Sequence, residues 1–244
     1  MFINVSRDAI TTSKMAAEKV SFLLNETISK QGEASIVLST GASQLYFFEA
    51  LIKENINWQK ITMFHLDEYI DLPEVHKASF RKYLRERFVD KIDLKEACFV
   101  NGEGDIEANI RYLNEEISNR TIDIGVIGIG ENGHIAFNDP PADFNYDKPY
   151  QVVELDEKCR AQQVHEGWFS SIEEVPQKAI SMSVQQIMKC KSIVSVVPYE
   201  AKALAIKNTL SNEISNLIPA TILKTHSDWN LYLDKDSASL VFPV

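Results

Sequence analysis

The chain has 244 residues, 45% hydrophobic and 25% charged, with a formal net charge of −10 at pH 7. That length and apolar content support a sizeable core. The acidic balance, without a basic cluster, excludes a nucleic-acid scaffold, because phosphate contacts need concentrated Lys and Arg. Cys98, Cys159 and Cys190 are odd in number and widely spaced, which fits neither a zinc site nor a disulfide framework and implies buried thiols in a reducing compartment. The first residues have no apolar signal core, and no stretch reaches the roughly 20 apolar residues of a membrane span. The expectation is a cytoplasmic protein with no membrane partner.

Residues 12–30 place Ala16, Val20, Leu23, Leu24, Thr27 and Ile28 at three- and four-residue steps, with Glu18, Lys19, Asn25 and Glu26 opposite. This predicts an amphipathic helix closed by Gly32. An apolar run at 34–38 predicts a strand, and the small residues Ser39, Thr40, Gly41, Ala42 and Ser43 follow it before Leu45, Phe48, Leu51 and Ile52 resume helical spacing. A strand, a small-residue turn and a helix leave amides and hydroxyls free at a helix N-terminus, which suits a phosphate. The same pattern also describes an ordinary Ser N-cap, and the residues alone leave both readings open.

A second strand is expected at 61–66, ending in Asp67, Glu68 and Tyr69. Alternation places His65 and Asp67 on one face and Leu66 and Glu68 on the other; the acidic pair either serves a site or solvates a loop. Residues 78–88 read as a basic helix covering the site, and 105–120 as an amphipathic helix with Ile106, Ile110, Leu113 and Ile117 on one face. The β-branched, aliphatic run at 122–129 suits a parallel strand covered on both faces. It gives way to Gly128, Gly130 and Gly133, then His134 and Asp139, then Pro140 and Pro141. A polar loop is thereby delivered at the strand's C-terminal end, where open α/β sheets bind ligands.

Downstream, composition predicts a loop over 140–150, a short strand at 152–155, a helix at 183–189 and a strand at 193–197. A helix starting at 198–202 is expected to turn Ala201, Leu204 and Ala205 inward, with Lys202 in its first turn either partnering an anion or facing solvent. Residues 229–233 predict an edge strand. With no repeat or linker, the alternation points to one doubly wound α/β domain over 1–244: a single, mostly parallel, Rossmann-like sheet with helices on both faces.

Gly128, Gly130 and Gly133 satisfy the dinucleotide fingerprint G-x-G-x-x-G, but Pro140 and Pro141 follow His134 within two turns and leave no room for the helix it requires. His65, Asp67, His134 and Asp139 are metal-ligand types without a recognised metal spacing, so neither metal nor cofactor is expected. What remains is acid–base chemistry, with a carboxylate, an imidazole and a phosphate cradle at the ends of three strands. That combination suits a phosphorylated sugar undergoing proton transfer.

The segment 128–140, with Gly128, Gly130, Asn132, Gly133, His134, Phe137, Asn138 and Asp139, and Leu66, Asp67, Glu68 and Tyr69 at 66–69, resemble the two signature stretches of the glucosamine-6-phosphate deaminases, also called isomerases. Residues 39–43 and 200–204 are similar to that family's two phosphate-contacting segments, in the same chain order. The glycine and histidine segment is shared with the 6-phosphogluconolactonases, but Tyr69 and the Phe137–Asn138 pair resemble the deaminases more closely. The resemblance implies that Asp67 is the base that moves a proton between C2 and C1 of an open-chain amino sugar. It implies that His134, oriented by Asp139 and Asn132, shuttles the ring-opening proton, and that Thr40, Gly41, Ser43 and Lys202 hold the 6-phosphate. Glu68 and Gly133 are expected as further substrate contacts. The implied products are a ketose 6-phosphate and ammonium.

Two departures qualify the transfer. Asp139 stands where the family carries glutamate, so the relay is expected to need a shifted backbone or a bridging water. The family's phosphate-binding arginine before an aromatic pair is missing; Glu166 and Gly167 precede Trp168 and Phe169. Arg160 or His165 is expected in its place, and a changed lid is expected to alter the sugar, for example to galactosamine 6-phosphate. Two rivals stand beside this reading: a sugar-phosphate lactonase that uses His134 on a water, and a non-catalytic sugar-phosphate sensor. A homo-oligomer is left open, with the apolar ending 237–244 packing on the core or on a neighbour.

Overall fold

The chain runs β1 (Phe2–Ser6), α1 (Ala9–Gln31), β2 (Ala34–Leu38), α2 (Leu45–Leu51), β3 (Ile61–His65), β4 (Asp67–Tyr69) and α3 (Phe80–Arg87) in the computed structural model, which describes residues 1–242. It continues through β5 (Glu96–Cys98), α4 (Ile106–Ser118), β6 (Ile124–Val126), β7 (Tyr150–Glu154), α5 (Glu157–His165) and β8 (Lys178–Met182). It closes with α6 (Val184–Met188), β9 (Ser192–Val197), α7 (Ala203–Ser211) and β10 (Trp229–Asp234). Seven strands form one parallel sheet in the order β1-β10-β9-β6-β2-β3-β5.

Period-two alternation sorts the strands' side chains onto two helix-covered faces. Ile36 and Leu38 of β2 pack with Val20 and Leu24 of α1, Phe47 and Phe48 of α2 and Leu84 of α3. Val37, between them in sequence, packs on the opposite face with Leu113 and Ile117 of α4, Ile187 of α6 and Ile206 of α7. The expected α/β class and its helices on both faces are thus present, and α1 ends at Gly32 as its pattern predicts.

Several local expectations are corrected. Trp229–Asp234 is an inner strand, because β1 covers its outer side and takes the sheet edge. Half-exposed Phe2 and Val5 hid β1 among residues that read only as a polar start. The apolar run at 122–129 contributes only three residues to the sheet; Ile127 and Ile129 leave it yet stay buried. In α7 the inward face is Ala203, Ala205 and Ile206, whereas Ala201 and Leu204 are exposed. The segment after β3 is not a solvated loop: β4, β8 and β7 make a separate antiparallel sheet. Helix α5, absent from the expectations, starts at an Asp156 cap whose carboxylate accepts from the Cys159 amide at 2.6 Å.

Ala238 is in the core and Val241 packs against it, so this part of the apolar ending folds onto the body of the chain; Pro243 and Val244 lie outside the described residues. No helix among the described residues is long and apolar enough to cross a membrane. The three cysteines are free and buried.

Candidate active site

Chain order along the main sheet reverses between β2 and β6: β3 and β5 follow on one side, β6, β9 and β10 on the other. Such a switch point opens a crevice at the strands' C-terminal ends. Here the turn after β2, the Leu66–Asp67 step after β3, the loop after β6 and Lys202 after β9 line one cleft of about 610 Å³, including its open mouth.

The loop after β6 folds into a tight reverse. Gly130 donates its amide to the His134 carbonyl at 3.0 Å and Gly133, at φ 85°, donates to the Gly130 carbonyl at 3.0 Å. A Cβ at Gly130 would sit 2.2 Å from His134 Nε2, so only glycine lets the imidazole lie against the backbone. Asn132 accepts the His134 amide at 3.0 Å and donates to Asp139 Oδ1 at 3.1 Å, fixing imidazole and carboxylate to one another. Asp139 Oδ1 reaches His134 Nδ1 directly at 2.9 Å, off the line of an ideal N–H bond. The shorter side chain therefore makes contact without a bridging water, one of the two accommodations expected for it. Burial pushes the Asp139 carboxyl up, but His134, Asn132 and the Asp156 amide outweigh it and hold the group below its ordinary value.

Asp67 is placed by the small sheet. The Leu66 amide still bonds to Leu38 of β2 at 3.2 Å, while its carbonyl accepts from Met182 of β8 at 2.7 Å. The chain thus crosses between sheets, and Asp67 pairs with Ser181. Ser181 Oγ also accepts the Phe137 amide at 3.0 Å, tying the Asp67 strand to the histidine loop. Burial, then the neighbouring Glu68 charge, raise the Asp67 carboxyl well above its ordinary range, with the Phe137 amide pulling the other way. A buried carboxyl with a raised proton affinity, open to a cleft, has the character of a general base.

Glu68 does not touch the cleft. Fully buried, it accepts from the Tyr69, Phe80 and Arg81 amides, the Ser79 hydroxyl and Arg81 Nε at 2.8–3.2 Å. It anchors the N-terminus of α3, and burial raises its carboxyl despite those donors. The basic helix covers the site only through Phe80, in the cleft lining, and Tyr83, whose hydroxyl donates to the Gly41 carbonyl at 2.9 Å. His65 is also withdrawn: its Nε2 accepts the Val100 amide at 2.6 Å and burial lowers its pKa to about 3.

Thr40, Gly41, Ser43 and Lys202 line the same cleft. Residues 42–44 form a turn of 3-10 helix ahead of α2, whose first amides have no intrahelical acceptor. Burial depresses the Lys202 ammonium, opposed by Glu166 and Glu131. Neither Arg160 nor His165 lines the cleft. Arg160 is turned to the Ile172 carbonyl, and His165 is 75% exposed, outside the cleft lining. Gln162, Gln163 and Glu166 line that side instead. Gly133 serves the turn and faces Ile218. Ser39 Oγ and Gln44 Oε1, buried at the cleft with no partner among the described residues, were not singled out from the sequence; only the place of Ser39 in the small-residue turn could have marked it.

His134, Asp139 and Cys159 bring a ring nitrogen, a carboxylate oxygen and a sulfur within 4.8 Å of one another. That set can take a cation only by giving up the Asn132–Asp139–His134 contacts and ionising a thiol that burial, then Asp139, push well up.

The profile of the family described as glucosamine-6-phosphate isomerases/6-phosphogluconolactonase matches residues 7–231. A glucosamine-6-phosphate deaminase of Bacillus cereus (strain B4264) is 32% identical over 232 residues, 95% of this chain and 87% of the relative. One of Streptococcus pneumoniae (strain 70585) is 32% identical over 224 residues, 91% and 94% of the two chains. A solved structure described as a monomeric glucosamine-6-phosphate deaminase superimposes with a TM-score of 0.90 at 32% identity, over 98% of this chain and all of the other. It lends no support to an oligomer. The 6-phosphogluconolactonase of Trypanosoma brucei, with a TM-score of 0.82 at 15% identity over 99% and 98% of the two chains, shares the fold. The chain belongs to the glucosamine-6-phosphate isomerase/6-phosphogluconolactonase family.

Proposed function

We propose that the protein isomerises and deaminates an amino-sugar 6-phosphate, glucosamine 6-phosphate first among them, to a ketose 6-phosphate and ammonium. The observation that carries this reading is Asp67, a buried carboxyl of raised proton affinity that shares one cleft with the His134–Asp139 pair. The deaminase relatives at 32% identity support the reaction class.

In this reading the 6-phosphate rests between the turn at Thr40, Gly41 and Ser43 and the Lys202 ammonium. His134 Nε2, on the ring edge toward Gly130, moves the proton that opens the pyranose ring, while Asp139 at Nδ1 orients the imidazole. Asp67 removes the proton from C2 of the open-chain amino aldehyde and returns it to C1, which turns the C2 amine into an imine. Water adds to that carbon, the C–N bond breaks, and ammonium leaves a ketone at C2. Binding energy at the remote phosphate holds C2 against Asp67.

A lactonase needs only His134 and a water and leaves Asp67 idle; a sensor needs neither group. The Gln162, Gln163 and Glu166 wall makes galactosamine 6-phosphate the second substrate to try. The whole chain is read as one catalytic domain. Its free, buried cysteines suit a cytoplasmic setting. Purified protein incubated with glucosamine 6-phosphate, galactosamine 6-phosphate and 6-phosphogluconolactone, with ammonium, ketose phosphate and acid measured, tests the proposal. Ammonium from an amino sugar is expected; acid from the lactone with no ammonium would overturn it.

A further inference from the structure

The phosphate end of the cleft contains an anion of its own. Glu166, just past α5, lines the cleft with its side chain 14% exposed. Its carboxylate is held in place: Oε1 accepts from Gln162 Nε2 at 2.7 Å and Oε2 from Trp168 Nε1 at 3.1 Å. So held, Oε1 lies 4.0 Å from Lys202 Nζ. The lysine side chain is itself only 8% exposed and its ammonium makes no hydrogen bond among the described residues, while Glu131 adds a second negative charge within its field. A single cation at the position where the chain would bind a dianion is therefore already matched by carboxylate.

We propose that Glu166 is a specificity-determining residue that acts as a resident anion, neutralising Lys202 in the empty cleft so that a phosphate group binds only by displacing it. The inference rests on reading the cleft as a sugar-phosphate site. Two anions near one buried ammonium repel, so an incoming phosphate meets an electrostatic penalty that its contacts must offset. A free phosphate ion has only the turn and Lys202 to offer. A phosphorylated sugar also has its hydroxyl and amino end, which reaches toward Asp67 and His134, and so overcomes the penalty. The pairing thus filters for the complete substrate and against inorganic phosphate.

The test uses the full chain with inorganic phosphate as probe, by titration calorimetry, in wild type, Glu166→Gln, Lys202→Met and the double variant. Glu166→Gln keeps the shape of the side chain and loses only its charge, so this variant is expected to bind phosphate at least about tenfold more tightly than wild type, about 1.4 kcal/mol. In the Lys202→Met background the same change is expected to gain less than about threefold, because the competition is for that ammonium. Should Glu166→Gln not fold, Glu166→Ala carries the same expectation. Unchanged or weaker phosphate binding, or an equal gain without Lys202, would overturn the inference. Phosphate binding is read independently of turnover. A tighter phosphate complex in a protein that releases no ammonium supports the resident anion and defeats only the deaminase reading.

Discussion

The two ends of the cleft are built on different principles. At the Asp67–His134 end every reacting group is fixed by the backbone or by a partner: Asp67 by strand pairing with Ser181, His134 by Gly130 and Asn132, Asp139 by Asn132 and the Asp156 amide. At the Lys202 end the ammonium is buried without a hydrogen bond among the described residues, faced by Glu166. Rigid geometry suits proton transfer, where misplacement is costly. A loosely satisfied anion end suits a group that must be both admitted and released.

The sharpest way to separate the ends is Asp67→Asn. As the base is removed, ammonium release is expected to fall about 10³- to 10⁴-fold, while phosphate binding by calorimetry stays within about threefold. Retained turnover would remove Asp67 from the chemistry. The wild-type profile of kcat/KM against pH should carry the same signature. The base works only when ionised, and burial and Glu68 raise its proton affinity. The acid limb is therefore expected above the usual carboxylate range near about 4.

Gly130→Ala attacks the same end through geometry. The new Cβ must push the imidazole, 2.2 Å away, so kcat is expected to drop about 10²-fold, with KM changed far less. An equal loss in both parameters would mean the whole loop had moved. Lys202→Met addresses the other end: loss of a charge-assisted contact is expected to raise KM for the sugar phosphate about 10- to 100-fold with a smaller change in kcat. A kcat effect as large as that of Gly130→Ala would erase the distinction between the ends.

The smallest expected effect is on stability. A carboxyl whose pKa is raised on folding stabilises the protein while protonated and loses that contribution as pH rises through the folded value. Asp67→Asn lacks the buried charge, so its Tm is expected to exceed wild type by a few degrees at about pH 8, with the gap closing toward about pH 5. A Tm below wild type at the higher pH would show that the Asp67 carboxylate is internally compensated.

The catalytic end was more legible in the sequence than the anion end, and the reason is physical. Glycines clustered against a histidine, and a carboxylate directly after an apolar strand, are local signals, because the backbone that positions them is a few residues away. Glu68 turns away from the cleft because its neighbours in space, Ser79 to Arg81, come from a helix that sequence alternation cannot place. Arg160 and His165 lie off the cleft lining for a similar cause: proximity in sequence to the missing arginine does not say which side of α5 faces the cleft. The strand β4 was hidden because three residues paired with β8, more than a hundred positions on, carry no period of their own. Edge strand β1, half exposed, lacks the continuous apolar run that identified β2 and β9.

That edge strand also sets the order in which the molecule can be finished. β1 pairs only with β10, from Phe2 opposite Asn230 to Ser6 opposite Asp234, and Thr12 Oγ1 reaches the Leu233 carbonyl across 221 positions of sequence. During synthesis β1 therefore waits a long time for its place, since every other strand of the sheet lies between it and its partner in sequence. Closing so long a loop is entropically slow, and until then β9 lacks its outer neighbour and offers an open hydrogen-bonding edge. Nascent chains stopped before residue 229 are expected to be the aggregation-prone species of this protein, and full-length chains to escape that fate once β10 docks.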